Sequence, residues 1–227
     1  MRAPVSRRAR PAKAPLSREV IVRTGLKVLD RDGLDALTMR RVGQELDTGA
    51  ASLYVYVKNR EDLMDAMLDT ALADVPLPAE GPWQQQVEEL VVSATEAMSR
   101  HEGLALVALG GIPSGEHALR ILDRLLALLK DGGLDDMTAA WAVDLLYLYI
   151  TAGAAEQGAY NTTDRTQGQH LADAERLYAE LPADRYPMIT ALRGPLLSAG
   201  DRERWGLQVL LNGILNTPAG GFTPADT

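Results

Sequence analysis

Residues 38–63, "TMRRVGQELDTGAASLYVYVKNREDL", run from Thr38 to Leu63 and decide the fold. Thr38 stands where a helix cap belongs, with Arg41 in the place a capping box gives to Glu. Val42 and Leu46, one turn apart, give that short helix an inner face. The "DTG" that follows is a turn, and a second short helix is read over residues 50–57. It buries Leu53 and Val57, which leaves Ala51, Ser52, Tyr54, Val55 and Tyr56 facing outward or sideways. "NRED" then opens a longer helix, with Leu63, Met64, Met67, Leu68 and Leu72 recurring at 3–4 spacing. Two short helices joined by a three- or four-residue turn form a helix-turn-helix. Its second helix is narrow enough to enter a major groove about 12 Å wide. Arg40, Arg41, Lys58 and Arg60 would then lie over phosphates, which supply most of the salt-dependent affinity. The competing reading is a helical hairpin whose tyrosines are half-buried packing.

Outward from this stretch the pattern stays helical. Before it, Ser17 caps a helix whose core face carries Val20, Ile21, Leu26, Val28 and Leu29, ended by Asp32-Gly33. Residues 1–16, rich in Arg, Pro and Ala, read as a disordered basic arm. After it, "PLPAEGP" at 76–82 breaks the pattern and is the best domain hinge. Beyond the hinge, helices are read over 83–100, 116–130, 138–160 and 201–216. A short apolar segment lies at 104–109, and a looser helical region spans 164–198. "GGIPSG" at 110–115 reads as a loop ending in a Ser114 cap. No alternating strand pattern of useful length appears. The expected fold is all-α: a helix-turn-helix domain at 17–75, a larger helical domain at 83–217, and a flexible tail at 218–227.

Composition agrees with a globular chain. The 227 residues are 46% hydrophobic, and zero cysteines exclude disulfides and thiolate chemistry. The net charge of −8 is divided. Residues 1–60 hold 13 Lys/Arg against 6 Asp/Glu, whereas the remainder holds 10 against 25. A basic quarter that meets a polyanion, with an acidic remainder kept off it, is one reading; a solvated basic face is the other. The longest membrane candidate, 139–155, is interrupted by Asp144, and no signal-length apolar run follows the basic N-terminus. A cytoplasmic protein that meets no membrane is expected.

Thr38-Met39-Arg40-Arg41-Val42, Leu46, Ser52-Leu53-Tyr54, Val57-Lys58-Asn59-Arg60 and Leu63 resemble, without a gap, the DNA-binding signature of TetR-family transcriptional regulators. "VKN" and the later "WGLQVLLNGI" are most similar to the branch of the tetracycline repressor. The resemblance implies that Thr38 caps its helix against a phosphate and that Arg40 reaches a guanine edge. Ser52, Tyr54, Lys58 and Arg60 would hold the DNA backbone, with Ala50, Ala51, Val55 and Tyr56 nearest the bases. One position departs from the family. The turn residue usually seen as Gly is Asp47, so either Asp47 adopts a left-handed backbone or Gly49 takes the strained position. The arm, with Arg2, Arg7, Arg8, Arg10 and Lys13, either follows a minor groove or adds only nonspecific affinity.

For the larger domain the resemblance implies a homodimer enclosing a small-molecule pocket, and hence a palindromic double-stranded operator. The helix at 138–160 is apolar all round (Trp141, Leu145, Leu148 and Ile150 among others), as is the last helix with Trp205, Val209 and Leu211. Such helices need cover on more than one side, from a partner or from the monomer's own core. Expected effector contacts are His101, Leu104, Leu109, Ile112, His117, Trp141, Asp144, Leu148 and Tyr149. Where the tetracycline repressor places its magnesium-binding histidine this chain has Ala108, and Leu90 replaces a polar drug contact. Glu156 alone retains that constellation. A small apolar effector other than Mg-tetracycline is therefore expected, with no metal and no cofactor. A helical enzyme is the competing class, but no phosphate loop, nucleophile elbow or metal-ligand run is present. A ligand-independent architectural DNA binder is a third reading, and it predicts a filled core.

Overall fold

A computed structural model describes residues 15–101, 103–109, 111–162, 167–198 and 201–222. All regular structure among them is helical. Helix α1 (Arg18–Asp32) begins at Ser17, whose hydroxyl accepts from the Val20 amide, and stops at Gly33, with φ of 81°. Helices α2 (Met39–Glu45), α3 (Ala50–Leu53) and α4 (Arg60–Ala71) complete a small head. Ile21, Leu29, Val42, Leu53, Leu63 and Met67 fill its centre. Residues 75–82 carry no regular structure.

The body contains α5 (Trp83–Ser99), α6 (Leu104–Leu109), α7 (Glu116–Asp131), α8 (Asp136–Thr162), α9 (Gln167–Ala179), α10 (Pro187–Leu196) and α11 (Arg202–Asn216). The α5–α8 interface is the most extensive, and α6 and α7 cover further sides of α8. Helix α8 is long and apolar enough to span a bilayer, yet Val143, Leu146, Ile150 and Ala154 are core residues of the bundle. The hydrophobic core runs without a break from head to body.

Three local expectations are corrected. Helix α3 ends at Leu53 rather than Val57: residues 54–56 form a turn in which the Tyr56 amide bonds the Leu53 carbonyl three residues back. The residue that precedes α7 is Gly115, not Ser114, and its cap comes from another helix. Part of the tail is held: the Ala219 amide donates to Thr138 Oγ1 at 2.8 Å, and Phe222 lies 6.3 Å from the Trp141 ring. Of the basic arm only residues 15 and 16 fall within the described residues, and Leu16 packs against the core.

Candidate nucleic-acid interface and effector cavity

The turn between α2 and α3 is tight because two backbones meet there. The Thr48 amide donates to the Gly43 carbonyl at 2.8 Å. A Cβ on Gly43 would lie 3.0 Å from the Thr48 oxygen and 3.2 Å from the Ala50 nitrogen, so a larger residue would have to push the turn's backbone back by a few tenths of an ångström. The left-handed position falls to Asp47, with φ of 47°, while Gly49 is extended. Asp tolerates that region at a cost of about 1 kcal/mol. At the start of α2 the Thr38 hydroxyl accepts from the Arg41 amide at 3.1 Å.

With Leu53 and Val57 buried as anchors, the segment 51–56 stands out of the head. Val55 is 78% exposed, Tyr54 52% and Tyr56 37%. This segment is held from behind. Arg18 donates to the Tyr56 carbonyl at 2.9 Å and pairs with Asp62 at 2.9 Å. Asp62 also accepts from the Lys58 amide at 2.7 Å, and its own amide bonds the Asn59 side chain. The Arg18 hydrogen bond is the largest influence holding the Asp62 carboxyl below its usual range. Arg18 has no part in the sequence-level site, because its partners are 38 and 44 residues away.

The four cations of the opening stretch divide into two kinds. Arg40, on α2, and Lys58, just past the protruding segment, are exposed. Arg41 is bound into a cluster with Arg31, Asp32 and Glu45, in which it meets Asp32 and Glu45 at 3.0 Å each. The hydrogen bonds from Arg31 come first in lowering the Asp32 and Glu45 carboxyls. Arg60 turns inward, donating to the carbonyls of Leu37 at 2.6 Å and Leu34 at 3.0 Å. The structure therefore gives Arg60 a bracing position in the loop before α2, where the sequence suggested a phosphate contact.

In the body, Leu72, Ala94, Met98, Pro113, Ala118, Ile121, Leu122, Leu125, Tyr147 and Ile150 line a narrow cavity that is partly open to solvent and closely packed as it stands. A second shallow recess adjoins it at Pro113, Ala118 and Tyr147, and opens past Asp65, Asp69 and Ile112. The Tyr147 hydroxyl donates to the Ala108 carbonyl at 3.1 Å; burial first, then Asp65, raises its pKa and keeps the phenol neutral. The lining of the first recess is otherwise apolar, whereas the second also presents Asp65, Asp69 and Ser114. Among the described residues no group of three or more His, Asp or Glu side chains is arranged to hold a metal ion.

The sequence-level effector residues fall mostly elsewhere. Ile112 alone reaches the cavity, at its mouth. His101 sits 2.7 Å from Asp30 of α1, bridging head and body. Leu104 is plain core, and Leu109 is exposed at the end of α6. His117 engages Asp69 through its backbone. Trp141, Asp144 and Leu148 lie on an exposed face of α8, and the Tyr149 hydroxyl donates to the Glu203 carbonyl. Tyr147 and Ile150, missed from sequence, are the α8 residues that line the cavity. Both faces of α8 are apolar, so periodicity had no means of choosing between them.

Residues 21–67 match the family described as bacterial regulatory proteins, tetR family, and residues 75–217 match the tetracyclin repressor-like C-terminal domain. The chain is 30% identical over 219 residues to the HTH-type transcriptional repressor DrrR1 of Streptomyces coeruleorubidus, covering 90% of this chain and 80% of that one. It is also 30% identical over 158 residues to the class D tetracycline repressor protein of Escherichia coli, covering 67% and 72%. Among solved structures, the TetR family protein ActR from Streptomyces coelicolor in complex with actinorhodin matches with a TM-score of 0.78. That match has 38% identity and covers 91% of this chain and 97% of that one.

Proposed function

The chain belongs to the TetR family of bacterial transcriptional regulators, and we propose that it is a homodimeric, cytoplasmic repressor released from a palindromic operator by a small apolar effector. One observation carries this reading: a rigidly backed, outward-facing segment 51–56 at one end of α4, and an apolar cavity walled by Leu72 just past its other end. Arg40 offers a bidentate donor to a guanine, and Ala51 and Val55 offer apolar contact to thymine methyls. Thr38, Ala50, Ser52, Tyr54, Tyr56 and Lys58 supply the remaining phosphate and groove contacts. Arg60 acts by bracing the loop.

The dimer is supported by a stripe on α8, Trp141, Leu145, Leu148 and Ala152, that is exposed at helical spacing, and by exposed Trp205 and Val209 on α11. A two-fold pair sets recognition elements about one helical turn or more apart, roughly 34–36 Å at the least, which calls for a palindrome. ActR has been solved with actinorhodin and with (S)-DNPA, and the apolar lining of the narrow cavity here supports an apolar effector that opens it on entry. Ala108, in the place of the tetracycline repressor's magnesium-binding histidine, and Leu90, in the place of a polar drug contact, are both buried in the body, which argues against Mg-tetracycline as the effector.

Selection of sites from randomised duplex DNA tests the reading. The expected product is a palindrome whose affinity falls steeply between low and physiological salt, with a log–log slope near −0.9 per neutralised phosphate. Recovery of no consensus, with only weak binding, would return the head to a basic helical hairpin. Mg-tetracycline added to the selected complex is expected to leave it intact.

A further inference from the structure

Helix α7 faces two ways. On one side Ala118, Ile121, Leu122 and Leu125 form a wall of the cavity. On the other side it fastens the chain between head and body. Gly115 has no side chain with which to cap α7, and Asp69 of α4 supplies the cap instead. Its Oδ1 accepts from the amides of His117 at 2.8 Å and Ala118 at 3.0 Å, the donors that an N-cap ordinarily satisfies. A Cβ at residue 115 would overlap the same carboxylate, so the missing side chain and the capping oxygen fit as one joint. One turn further, Arg120 donates to the carbonyls of Ala73 and Val75, each at 3.2 Å. Another turn on, Arg124 donates to the Pro78 carbonyl at 2.9 Å and to Gln86 Oε1 at 2.6 Å. Gln86 is buried and donates to the Gly81 carbonyl at 2.7 Å. Positions from 69 to 86, the end of the head and the whole connection, are thus tied to one helix.

The cavity's other long walls come from α5 and α8, which share the largest interface in the molecule. Helix α7 is a surface helix that buries only Ile121, Leu125, Leu128 and Leu129. A molecule entering the cavity therefore displaces α7 more readily than α5 or α8. From this arrangement we infer that α7 carries cavity occupancy to the DNA-binding head, with Asp69, Arg120 and Arg124 as positioning residues. The inference rests on the reading of the chain as a ligand-released DNA binder. Displacement of α7 pulls Asp69 and with it α4. The first turn of α4 holds Asp62, which bonds the Lys58 amide and, through Arg18, the carbonyl of Tyr56. Movement of α4 therefore re-aims the protruding segment.

A double-mutant cycle on the full chain tests this, using the duplex selected for the parent. Ala94→Leu adds bulk to the cavity from α5, away from the polar face of α7. In the parent it is expected to weaken duplex binding about tenfold, within the usual range of allosteric coupling. In an Asp69→Ala background the loss falls below about twofold, because coupled sites are non-additive. Asp69→Asn, which keeps an acceptor oxygen, restores the parent's response, a rescue that a purely structural role does not give. Equal losses in the two backgrounds, or no loss in either, overturn the inference. Should Ala94→Leu lose its helical circular dichroism, N-phenyl-1-naphthylamine, a neutral apolar fluorophore, replaces it. The probe, bound equally by both proteins as its fluorescence titration shows, then weakens duplex binding by the parent but not by Asp69→Ala, whereas equal weakening, no weakening, or loss of probe binding in Asp69→Ala overturns the inference. A parent that selects no duplex overturns the DNA-binding reading itself, a separate outcome.

Discussion

Arg60 and Lys58 lie two residues apart and carry the same charge, yet they do different work. Arg60 spends its donors on two carbonyls of the loop between α1 and α2, and Lys58 projects its ammonium into solvent beside the protruding segment. Hydrogen bonds from a charged donor to partly buried acceptors contribute about 1.5–3 kcal/mol, and their loss leaves the acceptors unpaired. Arg60→Ala is therefore expected to lower folding stability by about 2 kcal/mol, read from the urea midpoint at unchanged slope. Lys58→Ala should leave that midpoint in place and reduce the salt dependence of DNA binding by about one phosphate. The opposite pattern would return Arg60 to the phosphate role that sequence suggested. At Asp47 the local strain is small, and it survives because Thr48, bonded to Gly43, fixes the turn on either side of it.

Helix α3 is one turn long and has no stability of its own, since a first turn fixes several residues for a single hydrogen bond. Buried Leu53 and Val57 hold it, together with the ionic brace that runs from α1 to α4. The carboxyl of Asp62 is held low chiefly by Arg18, and those of Asp32 and Glu45 chiefly by Arg31. A carboxyl depressed in the folded state stabilises the fold above its unfolded pKa, about 3.9 for Asp and 4.3 for Glu. That contribution is lost as pH falls through the folded value. The melting temperature is thus expected to stay level from pH 7 to about pH 5 and to drop as the pH falls below about 4. Asp62→Asn should flatten the acid drop when melts are followed by circular dichroism. An unaltered acid profile in that variant would show the brace to be unimportant.

Along the whole chain, charge and exposed apolar area are divided unequally. The N-terminal 60 residues hold the cationic surplus and the protruding segment, whereas the acidic body leaves apolar stripes exposed on α8 and α11. This exposed apolar area is the surface that the proposed dimer would bury. Leu145→Glu on the α8 stripe is expected to convert a dimer into monomers in analytical ultracentrifugation, while far-UV circular dichroism stays unchanged. DNA affinity should fall with it, because each monomer keeps only one recognition element. A dimer that survives the substitution would move the interface elsewhere.

The sequence by itself determined the all-helical class, the helix-turn-helix, the charge division and the family resemblance. Each of these is written in local spacing: caps at Ser17 and Thr38, apolar residues three or four apart, glycine at the end of α1. Only the tertiary structure decided which face of α8 meets the cavity, which cations are free, and what caps α7. Helix α8 is apolar on both faces, so its periodicity has no preferred side, and Tyr147 became a cavity residue only when α5, α6 and α7 covered that side. Arg60 reaches its partners 23 and 26 residues back, and Asp69 reaches α7 across 48 and 49 residues. Hydrogen bonds at such separations leave no periodic trace, because a side chain's type states what it can donate or accept and packing alone supplies the partner.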